Sequence, residues 1–151
     1  MNYRHSFHAG NFADLVKHAL VLWLVDTLRP TAVIDTHAGA GLYDLSGDAA
    51  RSKEAEAGVA RLMTAEGRPP LLDALAARVA AFNPQGGVRY YPGSPLLIVE
   101  ALGSDARYVG FELNPPVRVL LSEALTKRAN AEAREGDRYA ASASMLGQGP
   151  S

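Results

Sequence analysis

The stretch Val33-Ile34-Asp35-Thr36-His37-Ala38-Gly39-Ala40-Gly41 constrains this chain more than any other. An apolar run ends at an acid, and a glycine-bearing loop follows at once. In open α/β sheets, strands that end this way hold nucleotide-like ligands over their carboxyl ends. Gly39 and Gly41 matter because backbone without Cβ can approach a ligand closely and can adopt φ > 0. No Gly-Lys-Ser/Thr follows, so the loop is not a P-loop. Asp44 stands where a dinucleotide fingerprint has its third glycine. Asp-x-x-x-Gly-x-Gly after a strand has the usual shape of an S-adenosyl-L-methionine (SAM) loop. An ordinary turn has the same pattern, and the loop alone does not separate the two.

The flanking sequence predicts an α/β order. Asn11 suits an N-cap, and Phe12, Leu15, Val16, Ala19, Leu20, Trp23 and Val25 recur at near-helical spacing. Arg29-Pro30 stops that helix. Thr31 to Asp35 reads as a short buried parallel strand, and His37 to Leu42 as the loop. Residues 46–87 are rich in Ala, Glu and Arg, with two helical patterns broken near Gly67-Arg68-Pro69-Pro70. They read as a helical insertion between the flanking portions 1–45 and 88–151. A helix is expected over Leu96–Leu102, a strand over Arg107–Glu112 and a helix from Pro115 to about Arg128. A weak strand spans Ala131–Glu135. The strands end near Asp35, Glu112 and Asp137. Right-handed crossovers order them 3-2-1 in one parallel sheet, half of a doubly wound fold.

Length and charge narrow the function. The 151 residues suit one domain with a real core, and a net charge of −1 gives no global attraction for nucleic acid. Any RNA contact must come from a local patch. Without cysteine there are no disulfides, thiolate metal sites or cysteine nucleophiles, which fits a cytoplasmic protein. Ala19–Val25 is apolar but too short for a membrane span. The histidines, His5, His8, His18 and His37, all precede Ala38 without metal-ligand spacing, so no metal is expected.

Several residues carry candidate chemistry. His18 on the helix and His37 in the loop can converge near the glycines and hold the carboxylate of an amino-acid-bearing cofactor; the alternative is capping and packing. Glu112 can accept from two ribose hydroxyls, or stand solvated at a strand end. Asp137 can accept from an adenine amine. Ser94 is a loop donor or a helix cap. Tyr90 and Tyr91 beside Arg89 can stack bases or pack. Tyr3-Arg4-His5 has the aromatic and cationic chemistry that stacks an extruded adenine.

The segments Tyr3-Arg4-His5-Ser6-Phe7-His8-Ala9-Gly10-Asn11, Ala13-Asp14, Lys17-His18, Asp35 through Gly41, and Tyr90-Tyr91-Pro92-Gly93-Ser94-Pro95 closely resemble the bacterial 23S ribosomal RNA adenine-N6 methyltransferases of the J type. The resemblance runs through nearly the whole chain. It implies a Rossmann-like class I SAM-dependent methyltransferase fold with a helical insertion, acting on 23S rRNA; a monomer is expected. It implies SAM contacts from His18, His37, Gly39, Gly41, Ser94, Glu112 and Asp137, and places Tyr3, His5 and Lys17 beside the target adenine.

The family carries Asp-Pro-Pro-Tyr at its fourth strand, and no Asp-Pro-Pro-Tyr occurs here. Catalytic residues are therefore expected outside this sequence, which reads as the N-terminal part of such an enzyme. The rival readings are a DNA adenine-N6 methyltransferase, which shares that motif, and an inactive SAM- or RNA-binding fragment.

Overall fold

A computed structural model describes residues 9–46 and 53–136. Helix α1 spans Phe12–Leu28, with the Asn11 side chain accepting from the Asp14 N–H as foreseen. Arg29 ends it in the left-handed region at φ 46°. Strand β1 (Ala32–Asp35) follows, then β2 (Leu42–Asp44). A π-helical turn, Glu56–Ala60, runs into α2 (Arg61–Thr64), and α3 spans Pro70–Ala81. Then come β3 (Tyr90–Pro92), α4 (Ser94–Ala101), β4 (Arg107–Phe111), α5 (Pro115–Leu125) and β5 (Ala131–Arg134).

The main sheet has the order β1-β4-β5, and both pairings are parallel. This is the 3-2-1 order expected from the acid-terminated runs. Central β4 is deeply buried at Tyr108 and Val109, as a two-sided parallel strand should be. β1 departs from the reading of a buried strand. Ala32 is exposed and Val33, Ile34 and Asp35 are half-buried, because β1 pairs with β4 alone among the described residues.

A second correction concerns Leu42, expected in the loop. It starts β2, which pairs antiparallel with β3 in the register Leu42–Pro92, Tyr43–Tyr91 and Asp44–Tyr90. A three-residue strand is too short to show a period, so the sequence pattern missed it. α4 also begins at Ser94, two residues before the expected start. Pro95 fits there because a first helical turn needs no N–H at that position.

Two apolar cores meet across this frame. One joins the inner face of α1 (Leu15, Ala19, Leu22) to Val59, Leu75, Val79 and Tyr91. The other sets Tyr108 against Leu96, Val99, Leu121 and Leu125 of α4 and α5. The helices over 53–81 thus share a core with α1. The opposite face of α1 stays uncovered: Phe12 is 70% and Leu28 69% exposed, with Val16, Leu20, Trp23 and Leu24 between them.

Candidate functional site

The β2–β3 ribbon explains how distant segments reach one place. The Gly93 N–H donates to the Gly41 carbonyl at 2.7 Å, extending the ladder past Pro92. That bond brings the start of α4 beside the glycine loop. The loop itself rises from the carboxyl end of β1, and Glu112 follows the carboxyl end of neighbouring β4. Between them opens a cleft of about 1090 Å³, walled on its third side by the first turns of α1.

Of the residues singled out from the sequence, Lys17, His18, His37, Gly39, Ser94 and Glu112 all line this cleft. Gly41 does not line it. At φ +89° it packs toward α5, where a Cβ would come 3.0 Å from Ala124. Tyr3, His5 and Asp137 lie outside the described residues.

Asp35 organises the floor. Its Oδ1 accepts the His37 N–H at 3.1 Å, and its Oδ2 accepts the hydroxyls of Ser94 at 2.9 Å and Tyr108 at 3.0 Å. Ser94 is therefore not the cap of α4, whose N-cap is Gly93. Burial pushes the Tyr108 phenol far above its ordinary value, and the Asp35 charge adds to it. Tyr108 stays protonated and remains a donor.

Tyr43 supports the loop from below. Its hydroxyl accepts the Ala40 N–H at 3.3 Å. A Cβ at Gly39, which has φ +73°, would sit 2.5 Å from that hydroxyl oxygen, so only glycine fits. Burial pushes the Tyr43 phenol up to about 12, and the charges of Asp14, Glu112 and Asp35 reinforce the rise. Those carboxylates together bias the cleft toward positively charged groups. At the rim, the hydrogen bonds of Ser46 to Asp44 hold its carboxyl down at about 2, with Arg89 assisting.

His18 is buried, and its Nδ1 lies 2.6 Å from the Tyr91 hydroxyl. Burial, and secondarily Asp14, raises the Tyr91 phenol strongly. The bond to the protonated Tyr91 hydroxyl holds the imidazole ring in place from its Nδ1 side. His37 is exposed, with Nδ1 2.8 Å from the Thr36 hydroxyl. Buried Asp14 holds the Lys17 Nζ at 3.4 Å. Glu112 Oε2 accepts the Asn114 N–H at 3.0 Å, leaving Oε1 open among the described residues. Leu42, Leu113, Val117 and Leu120 give the cleft an apolar wall.

Sequence reasoning missed Tyr43, Tyr108 and the linking role of Asp35. Tyr108 carried a signal, a phenol inside the apolar run of a central strand, because a buried phenol needs a partner. Among the described residues there is no group of three or more potential metal ligands, and no helix is long and apolar enough to cross a membrane.

The chain resembles known proteins over most of its length. It is 38% identical over 144 residues to ribosomal RNA large subunit methyltransferase J of Escherichia coli K12, covering 92% of this chain and 51% of that protein. It is 35% identical over 121 residues to the protein of the same name from Haemophilus influenzae, covering 76% of this chain and 43% of that protein. The chain thus spans about half the length of the curated relatives it matches. Among solved structures, protein LPL1258 of Legionella pneumophila, described under the family DUF519, matches with a TM-score of 0.78 and 28% identity. That match covers 92% of this chain and 53% of the other. The family model described as ribosomal RNA large subunit methyltransferase D, RlmJ, matches residues 28–150, and the chain belongs to that family.

Proposed function

We propose that this chain is the cofactor-binding portion of a Rossmann-like class I methyltransferase that uses S-adenosyl-L-methionine to methylate N6 of an adenosine in 23S ribosomal RNA. The observation that carries the reading is the convergence of Lys17, His18, His37, Gly39, Ser94 and Glu112 on one cleft at the carboxyl ends of parallel strands. Family membership and the names of the relatives support the reaction class.

The donor set suits this cofactor. SAM carries a sulfonium, an ammonium, a carboxylate, a ribose diol and a flat base. The surrounding carboxylates suit the cations, His18 and His37 suit the carboxylate, the open Oε1 of Glu112 suits a ribose hydroxyl, and the apolar wall suits the base. Gly41 supports the loop from behind, Asp137 takes the adenine amine, and Tyr3 and His5 join Lys17 beside the target adenine. Residues 46–87 form the helical insertion between the cofactor-binding portions 1–45 and 88–151. When bound, the cofactor supplies an electrophilic methyl group on positively charged sulfur. The chain's own contribution is to orient it and to keep the loop fixed.

Two assays test the reading. SAM titrated into this chain should bind saturably. A protein of this family as long as the curated relatives should pass labelled methyl from SAM to unmodified 23S rRNA. Labelling of duplex DNA alone would replace the RNA reading with a DNA one. Absence of SAM binding would overturn the cofactor assignment.

A further inference from the structure

Gly10 and Gly58 interlock where the helical stretch meets the start of α1. Gly58 lies in the π-helical turn Glu56–Ala60. A Cβ on Gly58 would overlap the Gly10 carbonyl oxygen and come 2.9 Å from the Asn11 carbonyl carbon. Gly10 has φ +78°, and a Cβ on it would come 3.0 Å from Val59 Cγ1. Fully buried Val59 donates its N–H to the Gly10 carbonyl at 2.9 Å. A π turn interrupts the i→i−4 ladder, and here a helical N–H bonds to a carbonyl outside its own helix. Such turns occur frequently at functional sites.

The clamped turn is the foundation of one wall of the cleft. The Gly10 N–H donates to Asp14 Oδ2 at 3.2 Å, and Asn11 Oδ1 accepts the Asp14 N–H at 2.9 Å. Asn11 Nδ2 in turn donates to Glu54 Oε2 at 3.5 Å, a second tie to the same helical stretch. Asp14 pairs with Lys17, and Asp14, Lys17 and His18 are the charged and imidazole groups that α1 adds to the cleft. Moving Gly10–Asn11 moves all of them.

We infer that Gly58 is a positioning residue for cofactor capture: the helices over 53–64 set the first turn of α1, and through it Asp14, Lys17 and His18, by a glycine–glycine contact that no side chain can replace. This rests on the reading of the cleft as a SAM site. Calorimetric titration of SAM into the wild type, Gly58→Ala and Gly103→Ala tests it, run well below each protein's unfolding temperature. Gly103 has open space where a Cβ would go, so Gly103→Ala is the control. Gly58→Ala should bind SAM at least tenfold more weakly, and Gly103→Ala as the wild type does. Equal affinity in Gly58→Ala, even with a lowered Tm, would make Gly58 a packing residue only and overturn the inference. Should Gly58→Ala not fold, hydrogen exchange on the wild type decides. SAM should slow exchange at the Val59 amide together with Lys17 and His18. Slowing at Lys17 and His18 with none at Val59 would overturn it. Flat titrations with all three proteins would remove the SAM reading itself, which a loss confined to Gly58→Ala would not.

Discussion

The hydroxyl of Tyr108, at the heart of β4, donates to Asp35 Oδ2 across 3.0 Å. Two adjacent parallel strands are therefore joined by a side-chain bond beneath the glycine loop as well as by their ladder. The same carboxylate fixes the His37 N–H and the Ser94 hydroxyl. Tyr108→Phe keeps the ring and removes this bond. A hydrogen bond to a charged group contributes about 1.5–3 kcal/mol, so urea denaturation should show a loss of that size. A loss below about 0.5 kcal/mol would mean that Asp35 is satisfied without Tyr108.

Alkaline pH should destabilise the fold. Tyr43, Tyr91 and Tyr108 all have their phenols raised, chiefly by burial. A group whose folded value lies above its unfolded value binds its proton more tightly when folded. Its stabilisation is complete below about pH 10, the value of a free phenol. It falls as pH climbs toward the folded value, about 12 for Tyr43. Each such phenol contributes up to about 1.4 kcal/mol per pH unit in that window. Denaturation midpoints at pH 8 and pH 11 should differ clearly, and equal midpoints would contradict the burial of these phenols.

Gly39 and Tyr43 should be energetically coupled. Gly39→Ala forces a side chain to φ +73° and against the Tyr43 hydroxyl. The backbone term alone is about 1–2 kcal/mol. In a Tyr43→Phe background the steric part disappears, because the next ring atom is 3.8 Å away. The double-mutant cycle should give an interaction of about 0.5–3 kcal/mol, with Gly39→Ala milder in that background. Strict additivity would show that the loop does not rest on Tyr43.

Much of this was legible in the residues. The apolar run of β4 carried the signature of a strand buried on two faces, and right-handed crossovers predicted the strand order. Local signals also predicted the Asn11 cap and the Pro115 helix start. The β2–β3 ribbon was not legible, since its strands span only Leu42–Asp44 and Tyr90–Pro92. Without it, nothing in the residue pattern brings Ser94 to Asp35. Nor did periodicity say which face of α1 is covered. Leu15, Ala19 and Leu22 are buried while Val16, Leu20 and Trp23 are not, and both sets share the helical spacing. Side-chain links such as His18 to Tyr91 join residues far apart in sequence and follow from the fold alone.

The central claim is that the cleft between β1, β4 and α1 takes S-adenosyl-L-methionine. Calorimetric titration of SAM into the wild type, His37→Ala and Glu112→Ala tests it most directly. Both side chains line the cleft, and neither belongs to the buried cores. If the cleft holds SAM as proposed, each substitution removes a hydrogen-bonding partner of a polar cofactor group, about 1.5–3 kcal/mol where one partner is charged. The account predicts saturable binding by the wild type, weakened roughly tenfold or more in each variant. Wild-type affinity in both variants, with folding intact, would contradict it.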